Sequence, residues 1–149
     1  MTIAKKKEAL PKKGIIGMDF SEFERLTREG GQSDNGLLSL RKARLIPSYK
    51  TGDELHLASV TLAAIKYVKE FREQLYSIIG FKKQGSHHFY TEVAFNERGD
   101  LGKCRFDGLI LQVIKGKIRD AVFFEFKGKN APIEPEQIEG YLSFIRANF

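Results

Sequence analysis

From Phe106 to Phe144 the chain reads FDGLILQVIKGKIRDAVFFEFKGKNAPIEPEQIEGYLSF. Two β-patterned runs, parted by Lys115-Gly116-Lys117, put Asp107 in the first and Glu125 and Lys127 in the second. Gln137 and Tyr141 follow on a short helix-like segment that opens at Pro135. Side chains two apart on a strand point the same way, so Glu125 and Lys127 share one face while Phe124 and Phe126 take the other. A carboxylate and an ammonium on a largely apolar strand are costly to desolvate unless something uses them. With Asp107 as a second carboxylate, the stretch suits a hard divalent cation and an activated water.

Working outward, the turn residues make Lys103–Val113 and Ile118–Lys127 an antiparallel pair, and Asn96-Glu97-Arg98-Gly99 joins His88–Phe95 to them as a meander. Upstream, Leu57, Val60, Ala64, Val68, Phe71, Leu75 and Ile78 recur at steps of three and four, which predicts a helix over residues 53–79. Asp53 suits its start and Gly80 its stop, and a run of that length invites a kink. Ser21 to Arg28 reads as a short helix with Ser21 as N-cap, and Leu37 to Ile46 has no clear type. The last helix has Ile138, Tyr141, Leu142 and Ile145 as its apolar face. The expected core is α/β, in the order α-β-β-β-α, with a mixed central sheet flanked by helices.

At these positions the chain resembles a family. Asp107 with Glu125-Phe126-Lys127 looks like the D…(D/E)xK signature of the restriction-endonuclease-like nuclease superfamily. Gln137 to Tyr141 is similar to the QxxxY motif of its RecB-like branch, and Gly52 to His56 to the GxxxH opening of that branch's first helix. Glu92 and Gly102 also stand where such sequences often carry a glutamate and a glycine. The resemblance runs from Gly52 to Phe144 and implies a restriction-endonuclease-like core. RecB-like cores usually add a strand after the QxxxY helix, whereas this sequence ends at Phe149. A truncated chain, the N-terminal segment, another protein or a second copy completing the sheet are the alternatives.

The resemblance implies a nuclease that hydrolyses phosphodiester bonds in DNA by a metal-activated water. Asp107, Glu125 and the Phe126 carbonyl would hold Mg2+ or Mn2+, and Lys127 would position or deprotonate the water or stabilise charge on the phosphate. Gln137 and Tyr141 would support the site and contact nucleic acid. From the first helix the implied ligand is His56, with Glu54 as the alternative, because oxygen is the harder donor. Glu92 is expected to be a structural partner. Without the resemblance, the favoured reading of Asp107 before Gly108 is a turn or surface residue, and of Glu125 with Lys127 a solvated strand-end pair. Glu54 and His56 equally suit exposed first-turn residues, Tyr141 the core and Gln137 solvent.

Composition narrows the field. A chain of 149 residues with 42% hydrophobic content has room for one domain with a real core. The net charge of +6 is uneven. Residues 1–50 hold eleven Lys/Arg against six Asp/Glu, and residues 51–149 hold fourteen against thirteen. This divides the chain into a basic N-terminal arm with a short helical segment (1–50) and a nuclease-like core (51–149). Such a distribution suits a polyanionic partner or a solubilising tail. Lys82, Lys83, Lys103, Arg105, Lys115, Lys117, Lys127 and Lys129 are collective candidates for phosphate contacts.

No phosphate-binding glycine loop appears, the lone Cys104 has no evident base, and the adjacent His87 and His88 point to opposite strand faces. No run is long enough to span a membrane, so a cytoplasmic protein is expected. A non-catalytic nucleic-acid-binding or assembly module on the same fold, and a nuclease acting on RNA, stand as alternatives.

Overall fold

The computed structural model describes residues 14–30, 38–42, 53–95 and 104–149. In chain order the elements are α1 (Phe20–Gly30), β1 (Leu38–Lys42), α2 (Asp53–Tyr67), α3 (Lys69–Ile79), β2 (Ser86–Phe95), β3 (Cys104–Ile114), β4 (Lys117–Phe124) and α4 (Pro135–Asn148). The result is a mixed α/β fold around one sheet of order β1-β2-β3-β4.

All three strand pairings among the described residues are antiparallel, which corrects the expected mixed sheet. The reason lies in the connections. Strands β3 and β4 are joined by a tight turn at Lys115 and Gly116, both at positive φ, and short connections can only join antiparallel neighbours. The stretch of unclear type supplies β1, which adds to the far edge of β2. No helix among the described residues is long and apolar enough to cross a membrane.

Two apolar layers hold the sheet. On one face Ile15, Met18, Phe23, Leu26 and Phe144 pack with Tyr90, Val93, Leu109, Leu111 and Ile118. On the other, Leu62, Ile65, Tyr76 and Phe81 pack with Phe89 and Ile110. Each fully buried Leu, Ile or Phe contributes about 1.5–3 kcal/mol. The first layer draws on residues before position 50, and β1 belongs to the same sheet. A boundary at residue 50 therefore does not divide the described structure; the lysine-rich stretch 1–13 lies outside the described residues.

The long helix is two. Val68 adopts an extended conformation (φ −100°, ψ 101°) between α2 and α3. The carbonyls left open at the end of α2 are taken by the Arg72 guanidinium, whose Nη1 donates to Lys66 O at 2.6 Å and Ile65 O at 3.3 Å. Gly80 ends α3 in the left-handed region, as its position suggested. The expected apolar stripe is buried only in part: Leu75 packs against the core and Ala64 is half-buried, but Leu57, Val60, Val68, Phe71 and Ile78 are exposed, and Ala58, Leu62, Ile65 and Tyr76 are the buried residues. In α1, Ser21 lies inside the helix, which begins at Phe20, so it is not the N-cap.

Alternation along the two central strands changes phase at one place. Cys104 and Phe106 face the α1/α4 layer, yet so do Leu109 and Leu111. The flanking pairs are Thr91↔Gly108 and Val93↔Phe106, so the change falls at Glu92 and Asp107. Glu92 there has φ +53°, and the β1–β2 register shifts beside it. A bulge of this kind re-aims neighbouring side chains. By this alternation Asp107 and Gly108, though adjacent, both fall on the α2 side.

Candidate active site

The site forms where β4 runs out. The ladder between β3 and β4 ends at the pair Gly108↔Phe124, three residues short of the expected strand end. Beyond it the Phe126 N–H is taken by Asp107 Oδ2 at 2.8 Å. The chain stays extended enough to keep its alternation. Phe124 and Phe126 stack with centroids 6.1 Å apart, and Lys127 Nζ meets Glu125 Oε1 at 2.7 Å. Glu125, Phe126 and Lys127 thus lie in the strand's continuation and not in the strand.

Helix α4 closes one side. Pro135 sits in its first turn, where the missing N–H costs nothing, and Gln137 and Tyr141 follow four apart on one face. Gln137 Nε2 donates to Glu125 Oε1 (2.8 Å) and to Tyr141 Oη (2.6 Å), and Tyr141 Oη donates to Glu125 Oε2 (3.0 Å). Both oxygens of Glu125 are therefore engaged, by three donor groups in all. The Tyr141 ring packs on Phe106 at 4.7 Å, so the residue is half core and half site.

Helix α2 closes the other side. Glu54 Oε1 accepts the Gly128 N–H at 2.9 Å. His56, half-buried two residues further on, leaves the helix about 200° around its axis. Glu54 is thus brought to the residue that follows Lys127. The close approach of α2 needs Gly108, because a Cβ there would run into Leu62 Cδ1. Gly52 and Gly102 lie outside the described residues. Glu92 is half-buried at the bulge, and its positive φ is a strain the sequence does not announce.

The electrostatics follow from this crowding. Burial pushes the Asp107 carboxyl above the usual carboxylate range; the Phe126 N–H and Lys127 oppose the shift, and the charges of Glu125 and Glu54 add to it. The bond to Glu125 raises the Lys127 ammonium, with the charges of Glu125 and Glu54 adding to it. Burial also raises the Tyr141 phenol. Among the described residues no three His, Cys, Asp or Glu side chains stand as a ready cage for a metal ion. The donor chemistry nevertheless fits a magnesium-type ion, which needs only one or two carboxylates, keeps several waters and takes oxygen alone. Lys127 and Gln137 share Oε1 of Glu125 while Tyr141 alone takes Oε2, so Oε2 keeps an acceptor site for such an ion, and binding through Oε1 would displace Lys127.

Comparisons with models of known protein families, with characterised proteins and with solved structures gave no match for this chain.

Proposed function

We propose that this chain is a metal-dependent nuclease with a restriction-endonuclease-like core, cleaving phosphodiester bonds in DNA. One observation supports the reading: Asp107, from the preceding strand, accepts the N–H of Phe126, the residue between Glu125 and Lys127, while Gln137 and Tyr141 hold Glu125 and Glu54 holds Gly128. Asp107, Glu125 and the Phe126 carbonyl would hold Mg2+ or Mn2+, with Glu54 as the nearest further carboxylate. When bound, such a cation lowers the pKa of a water and offsets charge on the scissile phosphate.

The residues divide the remaining work. Lys127 is held protonated by its carboxylate neighbours, so its role is to donate a hydrogen bond and positive charge to a phosphate oxygen. Gln137 and Tyr141 fix both oxygens of Glu125, which keeps the carboxylate from turning away when Lys127 leaves. Asp107 is oriented by the Phe126 N–H through one oxygen, leaving its other for a cation. Glu54 anchors the residue after Lys127 and so sets where that side chain starts.

The test is incubation of the full chain with single- and double-stranded DNA and with RNA, in Mg2+ and in Mn2+. Cleavage that disappears in Asp107→Asn, Glu125→Gln and Lys127→Ala is the expected result. A clean preparation inert on every form would sink the reading. The ion pair of Lys127 with Glu125 favours one alternative, a nucleic-acid-binding module without catalysis. DNA binding with no Mn2+ uptake in calorimetry would select it.

A further inference from the structure

Among the described residues the sheet ends at β4, and side chains of both helix layers flank its outer edge. Along the outer side of β4 runs a groove of about 500 Å3, lined by Ala121, Val122 and Phe123 on the strand. Ile79 of α3 stands at one wall, with Ile145 of α4 and the C-terminal Phe149 at the other. The apolar residues of β4 from Ala121 to Phe124 are only half-buried, whereas Leu109, Ile110 and Leu111 on β3 are fully enclosed. Ile78, the neighbour of Ile79 on α3, is 82% exposed. Apolar walls on both faces of a strand edge that is unpaired among the described residues are what one more strand would cover.

The limits of that edge can be read from its hydrogen bonds. Residues 17–18 occupy its start: Gly17 N donates to Ile118 O (2.7 Å) and Ile118 N to Met18 O (2.9 Å). Ala121 N is taken by the side chain of Asp120 (2.8 Å), so the N–H groups of Ala121 and, two residues on, Phe123 point outward. Beyond Phe124 the chain departs into the Asp107 contact. Among the described residues nothing pairs with the edge between Ile118 and that departure.

We propose that a second copy of this chain fills the groove, β4 against β4 in antiparallel pairing about a twofold axis at Val122. The occupant must be short, extended and apolar on both faces, and Ala121-Val122-Phe123-Phe124 is such a strand. The register uses both outward positions, with Ala121 of one copy opposite Phe123 of the other, so each strand fills the other's groove at once. That is the reciprocity a closed dimer requires. Ile78 and Ile79 of the two copies then extend the contact beyond the strands. Asp120 acts as an edge guard, since its carboxylate holds one of the N–H groups the pairing needs.

The experiment is sedimentation equilibrium on the full chain. The expected species has twice the 17.0 kDa monomer mass. Ala121→Pro removes an outward N–H and no ladder bond, and should weaken dimerisation about tenfold or more. Ile79→Glu, at a position 43% exposed in the monomer and therefore safe for folding, should do the same. Asp120→Ala should tighten the dimer. A monomer at every attainable concentration would overturn the proposal. A dimer indifferent to Ala121→Pro and Ile79→Glu would also overturn it, by placing the interface elsewhere. The outcome is independent of whether the chain cleaves DNA.

Discussion

Asp107 accepts the Phe126 N–H at the point where the β3–β4 ladder stops. One carboxylate thereby ends a strand and aims the next three residues. The ladder would otherwise have paired Asp107 with Glu125 directly, two like charges facing each other across neighbouring strands, an arrangement that is destabilising. Diverting the N–H to a side chain lets Glu125 turn to α4, where Gln137 and Tyr141 receive it.

Asp107→Asn should make the protein more stable at neutral pH. A carboxyl whose folded pKa lies above its unfolded value binds its proton more tightly when folded, so ionisation weakens folding as pH rises through that window. The amide keeps an oxygen for the Phe126 N–H and carries no charge. Urea midpoints of the two proteins should therefore be furthest apart at pH 7 and converge below the usual carboxylate range. A gap that widens in acid would contradict this assignment.

Tyr141→Phe keeps the ring on Phe106 and deletes only the hydroxyl between Gln137 and Glu125. The loss should be about 1 kcal/mol of stability. If the proposed function holds, cleavage should fall further than folding does, because Glu125 loses one of its restraints. Denaturation and single-turnover cleavage on the same preparation separate the two effects.

Much of this site was legible because its spacings are local. Two-residue alternation put Glu125 with Lys127, and four-residue spacing put Gln137 with Tyr141; neither relation needs the rest of the chain. The contact of Glu54 with Gly128 was not legible, since it depends on how α2 is rotated over the sheet. That rotation could not be read because α2 is apolar nearly all round: Leu57 and Val60 look as buriable as Ala58 and Leu62, which won. The break at Val68 was hidden by a residue that continues the apolar pattern. The bulge at Glu92 carries no glycine to mark it.

Gly108→Ala should disturb the site from beneath. The new Cβ meets Leu62, which is fully buried, so α2 must lift or Leu62 must change rotamer. A cost of about 1–3 kcal/mol is expected. Because α2 also carries Glu54, the Gly128 contact should loosen with it. Leu62→Ala in the same chain should recover part of the loss, giving a favourable coupling in a double-mutant cycle; strict additivity would mean that the strain lies elsewhere.

Lys127→Met should raise the affinity for Mn2+ while abolishing cleavage. Lys127 Nζ lies 2.7 Å from Glu125 Oε1, the same oxygen that accepts from Gln137, so an arriving cation meets both an occupied ligand and a nearby positive charge. Removing the ammonium frees the carboxylate and deletes the repulsion, and methionine preserves the side chain's length. With both charges partly screened by water, a gain of about tenfold is expected. Calorimetric titration with Mn2+ reads this directly, with no substrate present. An affinity that is unchanged or weaker would show that Lys127 and the cation do not compete for Glu125, and the ion would then have to be sought at Asp107 and Glu54.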